Sequence, residues 1–258
     1  MPGGRSGSQL ALQGVAALLF AAGTSLTLLQ CAAMAAMGGR GMPGGWTMSM
    51  AWMRMPGQSW GSAFGSFLAM WVAMMVAMML PSLLPALRRY QARVGRLDLA
   101  LRAGLGYFAV SAVLGAAVFP LGAALAALQL HWPHLARAAP AATGLVVLAA
   151  GILQLTRWKA QHLARCREGA GCCLTSAADP RSAWRSGVRL GLQCSCCCGP
   201  HTAVLLAVGV MDVRAMFAVA VVITAERLLG AGPRIARGAG AVAVGVGMVI
   251  FAQGTGFL

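Results

Sequence analysis

An all-α, polytopic transmembrane bundle of about seven helices, with its N-terminus inside, is the fold this sequence predicts. Three observations carry that expectation. Of 258 residues, 59% are hydrophobic and only 10% charged, whereas a soluble domain is near one quarter charged. Several apolar runs reach the roughly 20 residues needed to cross a hydrocarbon layer of about 30 Å. The basic residues also alternate in density from one inter-run segment to the next, as the positive-inside pattern requires.

The apolar runs lie at about 10–36, 63–86, 103–130, 140–157, 187–211, 213–229 and 236–256. The first starts behind Arg5 and is longer than a signal-peptide core, so an uncleaved helix is expected. Ala-rich text at 32–36 leaves cleavage open. The segments near 87–102, 157–189 and 227–237, together with the N-terminus, hold 16 of the 20 Lys and Arg residues. These form the inner side. The alternate segments hold only Arg40, Arg54, Arg137 and Arg214. The chain therefore divides into residues 1–62, a first transmembrane helix with a Met-rich outer loop, and residues 63–258, a six-helix bundle. The expected setting is a bacterial inner (cytoplasmic) membrane, crossed many times. A net charge of +15 then reflects topology and contact with the lipid bilayer, not nucleic-acid binding. In the last helix Gly238, Gly240, Gly245 and Gly247 are expected to allow close helix packing.

Sulfur is concentrated where thiols are unusual. Residues 194–201 read Cys-Ser-Cys-Cys-Cys-Gly-Pro-His inside an apolar run. At about 100° per residue, Cys194, Cys197, Cys198 and His201 share an arc of roughly 100°, while Cys196 points away. Adjacent cysteines rarely bridge each other, so this is a candidate soft-metal or redox site. Gly199-Pro200 is expected to kink the helix and free a carbonyl. His201 is either a ligand or a hydrogen-bonded bundle residue.

On the second run Met70, Met74 and Met78 recur at one-turn intervals, with Met75 and Met79 on the adjoining flank. Methionine is an apolar filler, yet thioethers also suit Cu(I). By helical rise, Met70–Met79 lie roughly 10–24 Å below one surface and Cys194–Cys198 roughly 10–17 Å above the other. If the two helices touch, their sulfurs converge. The outer loop holds Met34, Met37, Met42, Met48, Met50, Met53 and Met55. It reads equally as a Cu(I) collector or as an amphipathic loop anchored by Trp46, Trp52 and Trp60. His131 and His134 read as surface residues. The inner loop holds His162, Cys166, Cys172 and Cys173. The cysteines read first as reduced, solvated thiols, and the group otherwise as a metal delivery or receiving site on the cytoplasmic side, since the spacing matches no zinc pattern closely. Glu226 beside Arg227 reads first as an interfacial anchor, with a proton relay as the alternative. No phosphate loop, nucleophile elbow or paired-carboxylate site is present, so ATP-driven transport within this chain is not expected.

Together these residues resemble a bacterial family of predicted metal-binding integral membrane proteins, a domain of unknown function. The resemblance spans roughly 65–230. It rests on Trp71-x-x-Met74-x-x-Ala77-Met78-Met79-x-Pro81, on Cys194-x-x-Cys197-Cys198, and on Gln154-Leu155 with Lys159, Cys166 and Arg167. Gly209-Val210-Met211 and Glu226-Arg227 are also similar. The chain departs from that pattern at Ser195-Cys196, His162 and Thr202, where a Leu-Gly pair, a cysteine and a methionine are usual. The resemblance implies a metal site.

Three functions follow as expectations. The first is a protein, not an enzyme, that binds Cu(I) or another soft metal through Cys194, Cys197, Cys198, His201, Met70, Met74 and Met78. It would move copper across the membrane or to a partner, either a copper chaperone or a cuproprotein. Low-dielectric burial favours a monovalent soft ion beside thiolates. The second is a structural or assembly subunit with incidental sulfurs. The third is a membrane thiol–disulfide oxidoreductase, which the lack of outer-loop cysteines beyond Cys31 disfavours.

Overall fold

The computed structural model describes residues 3–54, 57–172 and 179–256, and it is a helical bundle. Each of the seven apolar runs is a helix: α1 (Gly3–Met37), α2 (Trp60–Val94), α3 (Leu97–His131), α4 (Pro133–Leu155), α6 (Pro180–Val208), α7 (Val213–Leu228) and α8 (Gly232–Thr255). The inner loop supplies one more, α5 (Arg157–Cys172). Six of these helices are long and apolar enough to cross a membrane. The exception among the seven predicted spans is α7. Its 16 residues reach about 24 Å at 1.5 Å each, less than a typical hydrocarbon core. Outward-facing Leu18, Leu121, Phe217 and Val242 are 67–72% exposed, which suits contact with lipid.

Local chemistry sets the ends. Ser59 caps α2 and Gly95, at φ 73°, closes it. Asp179 caps α6 ahead of Pro180, and Asp212 caps α7. Proline at the first helical turn of α4 and α6 has no amide donor to waste there.

Glycines decide which helices touch. A Cβ on Gly187 would collide with Ala103 O, and one on Gly191 would sit 2.9 Å from Tyr107 O. Thus α3 and α6 lie side by side and run in the same direction. A second seam joins α4 and α8 in opposite directions. Gly151 meets Val244 and Gly240, Gly247 meets Leu148, and Gly254 meets Ala141. Of the four glycines expected to pack, only Gly240 and Gly247 do so. Gly238 and Gly245 face open space, because the seam follows a seven-residue repeat that they do not share. Since α3 and α4 are antiparallel neighbours, α6 and α8 point the same way, and α7 carries the chain back between them. Gly187→Val is expected to lower stability by about 1–3 kcal/mol, through overpacking against a backbone that cannot yield. An unchanged thermal midpoint in detergent would count against this seam.

At the Met-rich end, a two-residue hairpin pairs β1 (Arg40–Gly41) with β2 (Thr47–Met48). Trp46 Nε1 donates to Ala136 O at 2.8 Å, and Trp52 packs on Phe67 at 5.2 Å. Both rings are therefore locked into protein instead of anchoring the loop in lipid, while Trp60 stays 56% exposed. Met42 and Met48 are buried beneath the hairpin. Met55 lies outside the described residues.

Candidate metal centre

Four helices converge on the buried turn of α6 that carries the cysteines. Cys194, Cys197 and Cys198 are at most 5% exposed, and Cys196 faces outward. Helix α6 runs unbroken through Gly199-Pro200, with Pro200 inside it. The Cys194 and Cys198 sulfurs stand 3.8 Å apart across one turn, and Tyr107 Oη donates to Cys194 Sγ at 2.8 Å. Tyr107 reaches the site because Gly187 and Gly191 bring α3 so close.

From α5, Cys166 joins this group. The Cys197 thiol donates to it, and Arg227 lies beside it, so its pKa falls below the ordinary thiol value despite burial. The side chain of Cys172 is not described, and Cys173 lies outside the described residues. His162 packs on Trp158 at 4.2 Å instead. Burial and the neighbouring Arg165 and Lys159 push its pKa down.

Arg227 donates from NH1 to Ser82 Oγ at 3.0 Å and from NH2 towards Cys166 Sγ at 3.8 Å. It is also close enough to Cys194 and Cys198 to interact electrostatically. Among the described residues it makes no carboxylate pair, and its Nε is buried without a partner. The thiols of Cys166, Cys194 and Cys198 are thus the acidic groups it faces, and its charge would favour any thiolate formed there.

Glu226, next in sequence, turns the other way. It is 2% exposed and pairs with Lys159 Nζ at 2.9 Å, with His201 Nε2 at 3.3 Å. Lys159 also donates to Cys197 O at 2.7 Å. The expectation of an interfacial Glu226 is therefore corrected. One α7 turn sits against α5 and α6, and the carboxylate satisfies a lysine that is itself 0% exposed. His201 is 6% exposed, and its ring lies 2.7 Å from the Gln154 amide nitrogen. It faces this polar network and leaves the sulfurs to Cys194, Cys197 and Cys198.

Met70, Met74 and Met78 are each at most 5% exposed and share one buried cluster with the three cysteines. Yet α2 and α6 are not a closely packed pair. Each packs instead against α3, α5 and α7. Along α2 the next one-turn step after Met70, Met74 and Met78 is Ser82, the partner of Arg227. The methionine row thus ends at the level of the thiols without facing them across a shared helix seam.

Among the described residues no three His, Cys, Asp or Glu side chains are arranged as a ready metal cage. The donors that are present are two thiols one turn apart, with a third and fourth thiol adjoining. That set suits a soft ion of low coordination number and not a hard divalent one. Sequence reasoning missed Tyr107 altogether, since nothing near it marks a site. Cys166 stands out in the sequence with the inner-loop group and Arg227 beside Glu226, but Gln154 and Lys159 enter the site only through the family resemblance.

No curated protein and no solved structure matches the chain. The family model of PpoB2, described as a copper chaperone, matches residues 68–250. That span covers every buried thiol of α6, the basic side chains beside them and the methionine row below Phe67, and the chain belongs to this copper chaperone family.

Proposed function

We propose that this protein binds Cu(I) as cargo in the bundle, through Cys194 and Cys198 with Cys197 and Cys166 adjoining. It then passes the ion to a partner cuproprotein or across a bacterial inner membrane. The observation that carries this reading is the buried Cys194–Cys198 pair, with sulfurs 3.8 Å apart, facing an arginine that has no carboxylate partner among the described residues. One Cu(I) with two thiolates is a monoanion. Arg227 neutralises it, which removes most of the cost of holding it in a low dielectric. Lys159 and Glu226 already balance each other and leave this count unchanged.

Adjoining thiols give the ion somewhere to go. Cys197 lies within hydrogen-bond reach of both Cys198 and Cys166, so the ion can move by stepwise thiolate exchange towards α5. A cavity of about 230 Å³ lined by Ser82, Arg89, Tyr107, Cys166, Arg167 and Arg227 adjoins that end of the route. A partner's thiol is small enough to enter it.

The test is copper content by mass spectrometry on detergent-purified protein loaded under reducing conditions. Wild type is expected to hold copper that a Cys194/Cys197/Cys198→Ser variant releases at the thiol site. Loading is also expected to release up to about two protons per ion, so apparent affinity rises with pH. Equal copper in both proteins, or pH-independent binding, would sink the thiol site.

A further inference from the structure

At the Met-rich end, a cavity of about 260 Å³ opens between the last turns of α1, the loop after β2 and the start of α2. Five methionines line it: Met34, Met37, Met50, Met53 and Met70. Their placement is set by three separate backbone devices. Met34 and Met37 are three apart on α1 and share its face. Met50 opens a 3-10 turn that Met53 caps, with Met53 N donating to Met50 O at 3.1 Å. Both Met50 and Met53 line the cavity. Met70 stands on α2 and is 5% exposed. The turn is held in place by the Trp52–Phe67 contact.

Methionine is most often a core filler, and Met42 and Met48 under the hairpin behave that way. The five around the cavity do not fill it. The lining contains no charged side chain, so it offers a hard divalent cation no anionic ligand. Its polar side chains are Gln30, Gln58 and Ser66. Gln30 Oε1 is buried with no hydrogen-bond partner among the described residues, an acceptor available to a water carried by an incoming ion. Thioethers are neutral and soft, bind Cu(I) and need lose no proton to do so.

We propose that Met34, Met37, Met50, Met53 and Met70 form a capture site for Cu(I), which admits the ion at the head of the Met70, Met74 and Met78 row to the buried cluster that also holds the thiols. This deepens the copper reading above and rests on it for the destination of the ion. The ion stays Cu(I) throughout. Exchange of one thioether for another moves no electron and no proton, and the proton that a thiol loses on taking the ion passes to water in the cavity beside Cys166.

The experiment uses full-length protein in detergent, labelled with ¹³C at the methionine methyls and titrated with Ag(I), a closed-shell monovalent ion of the same softness. Methyl resonances are assigned by single Met→Leu variants. The same titration is run on the Cys194/Cys197/Cys198→Ser variant. The methyls of Met34, Met37, Met50 and Met53 are expected to shift in both proteins. Zn²⁺ at equal concentration is expected to leave them in place. Replacing all four by leucine is expected to weaken Ag(I) binding to the Cys→Ser protein at least about tenfold, a loss of about 1.4 kcal/mol. Methyls unmoved by Ag(I), or moved equally by Zn²⁺, overturn the capture site even if the thiols bind metal. Shifted methyls with no metal at the thiols uphold the capture site and sink the buried-thiol reading instead. The wild-type spectra decide the matter even if the fourfold variant does not fold.

Discussion

Replacing Glu226 with leucine is expected to destabilise the folded bundle by about 3–5 kcal/mol, the cost of stranding one member of a buried ion pair. Its partner Lys159 has a side chain only 1% exposed and sits 2.9 Å away. Nothing else anionic among the described residues can take over that ammonium group. Lys159→Met alone is expected to be damaging as well, because it leaves Glu226 with only His201. The double variant Lys159→Met with Glu226→Leu is expected to recover most of the loss, since an apolar pair of similar volume often replaces a buried ion pair at little cost. Thermal midpoints of the four proteins in one detergent measure the coupling. A fully stable Glu226→Leu protein would mean that water reaches this pair.

The second large effect concerns copper. Arg227→Met is expected to weaken Cu(I) binding about 10²–10³-fold, because a two-thiolate copper monoanion then lies buried without its counter-ion. Arg227→Lys should retain part of the affinity, as it keeps the charge but loses the fork that reaches Ser82 and Cys166 together. Competition against a chromophoric Cu(I) chelator reads both variants. Unchanged affinity in Arg227→Met would remove the electrostatic basis of the thiol site while leaving the fold untouched. The pair of predictions is separable: Glu226 acts on stability through Lys159, whereas Arg227 acts on the thiols.

Much of the helical layout is legible in the sequence, for a simple reason. In hydrocarbon every backbone polar group must be satisfied within its own helix. Span length, apolarity and the basic segments therefore mark each crossing directly, and all seven apolar runs are helices. The inner loop was harder to read. Helix α5 is polar overall, and among its described side chains Lys159 and Leu163 are buried and Cys166 is half-buried against the bundle. Helix α7 reads as a full span from composition, but with 16 residues it is too short by length.

For the site, helical periodicity was enough to put Cys194, Cys197 and Cys198 on one face and Cys196 on the other, because that depends on a single helix. His201 shares the same arc, yet its ring turns to Gln154 and Glu226. An arc fixes direction to within a turn, and the neighbour that fills the direction is a tertiary matter. The row of Met70, Met74 and Met78 is local as well. Its relation to the thiols is not local, because α2 and α6 are held apart by the helices they share.

The sequence by itself determined the seven apolar helices, the sulfur-bearing faces and the family, since all three depend on residue type and spacing along one chain. Only the tertiary structure decided that Cys166 and Tyr107 join the thiols, that Glu226 and Arg227 part company, and that five methionines from three segments enclose one cavity. Those outcomes turn on which glycines let which helices touch. Close approach depends on the absence of a Cβ opposite another chain's backbone, and the identity of that opposite backbone is not written in any local stretch.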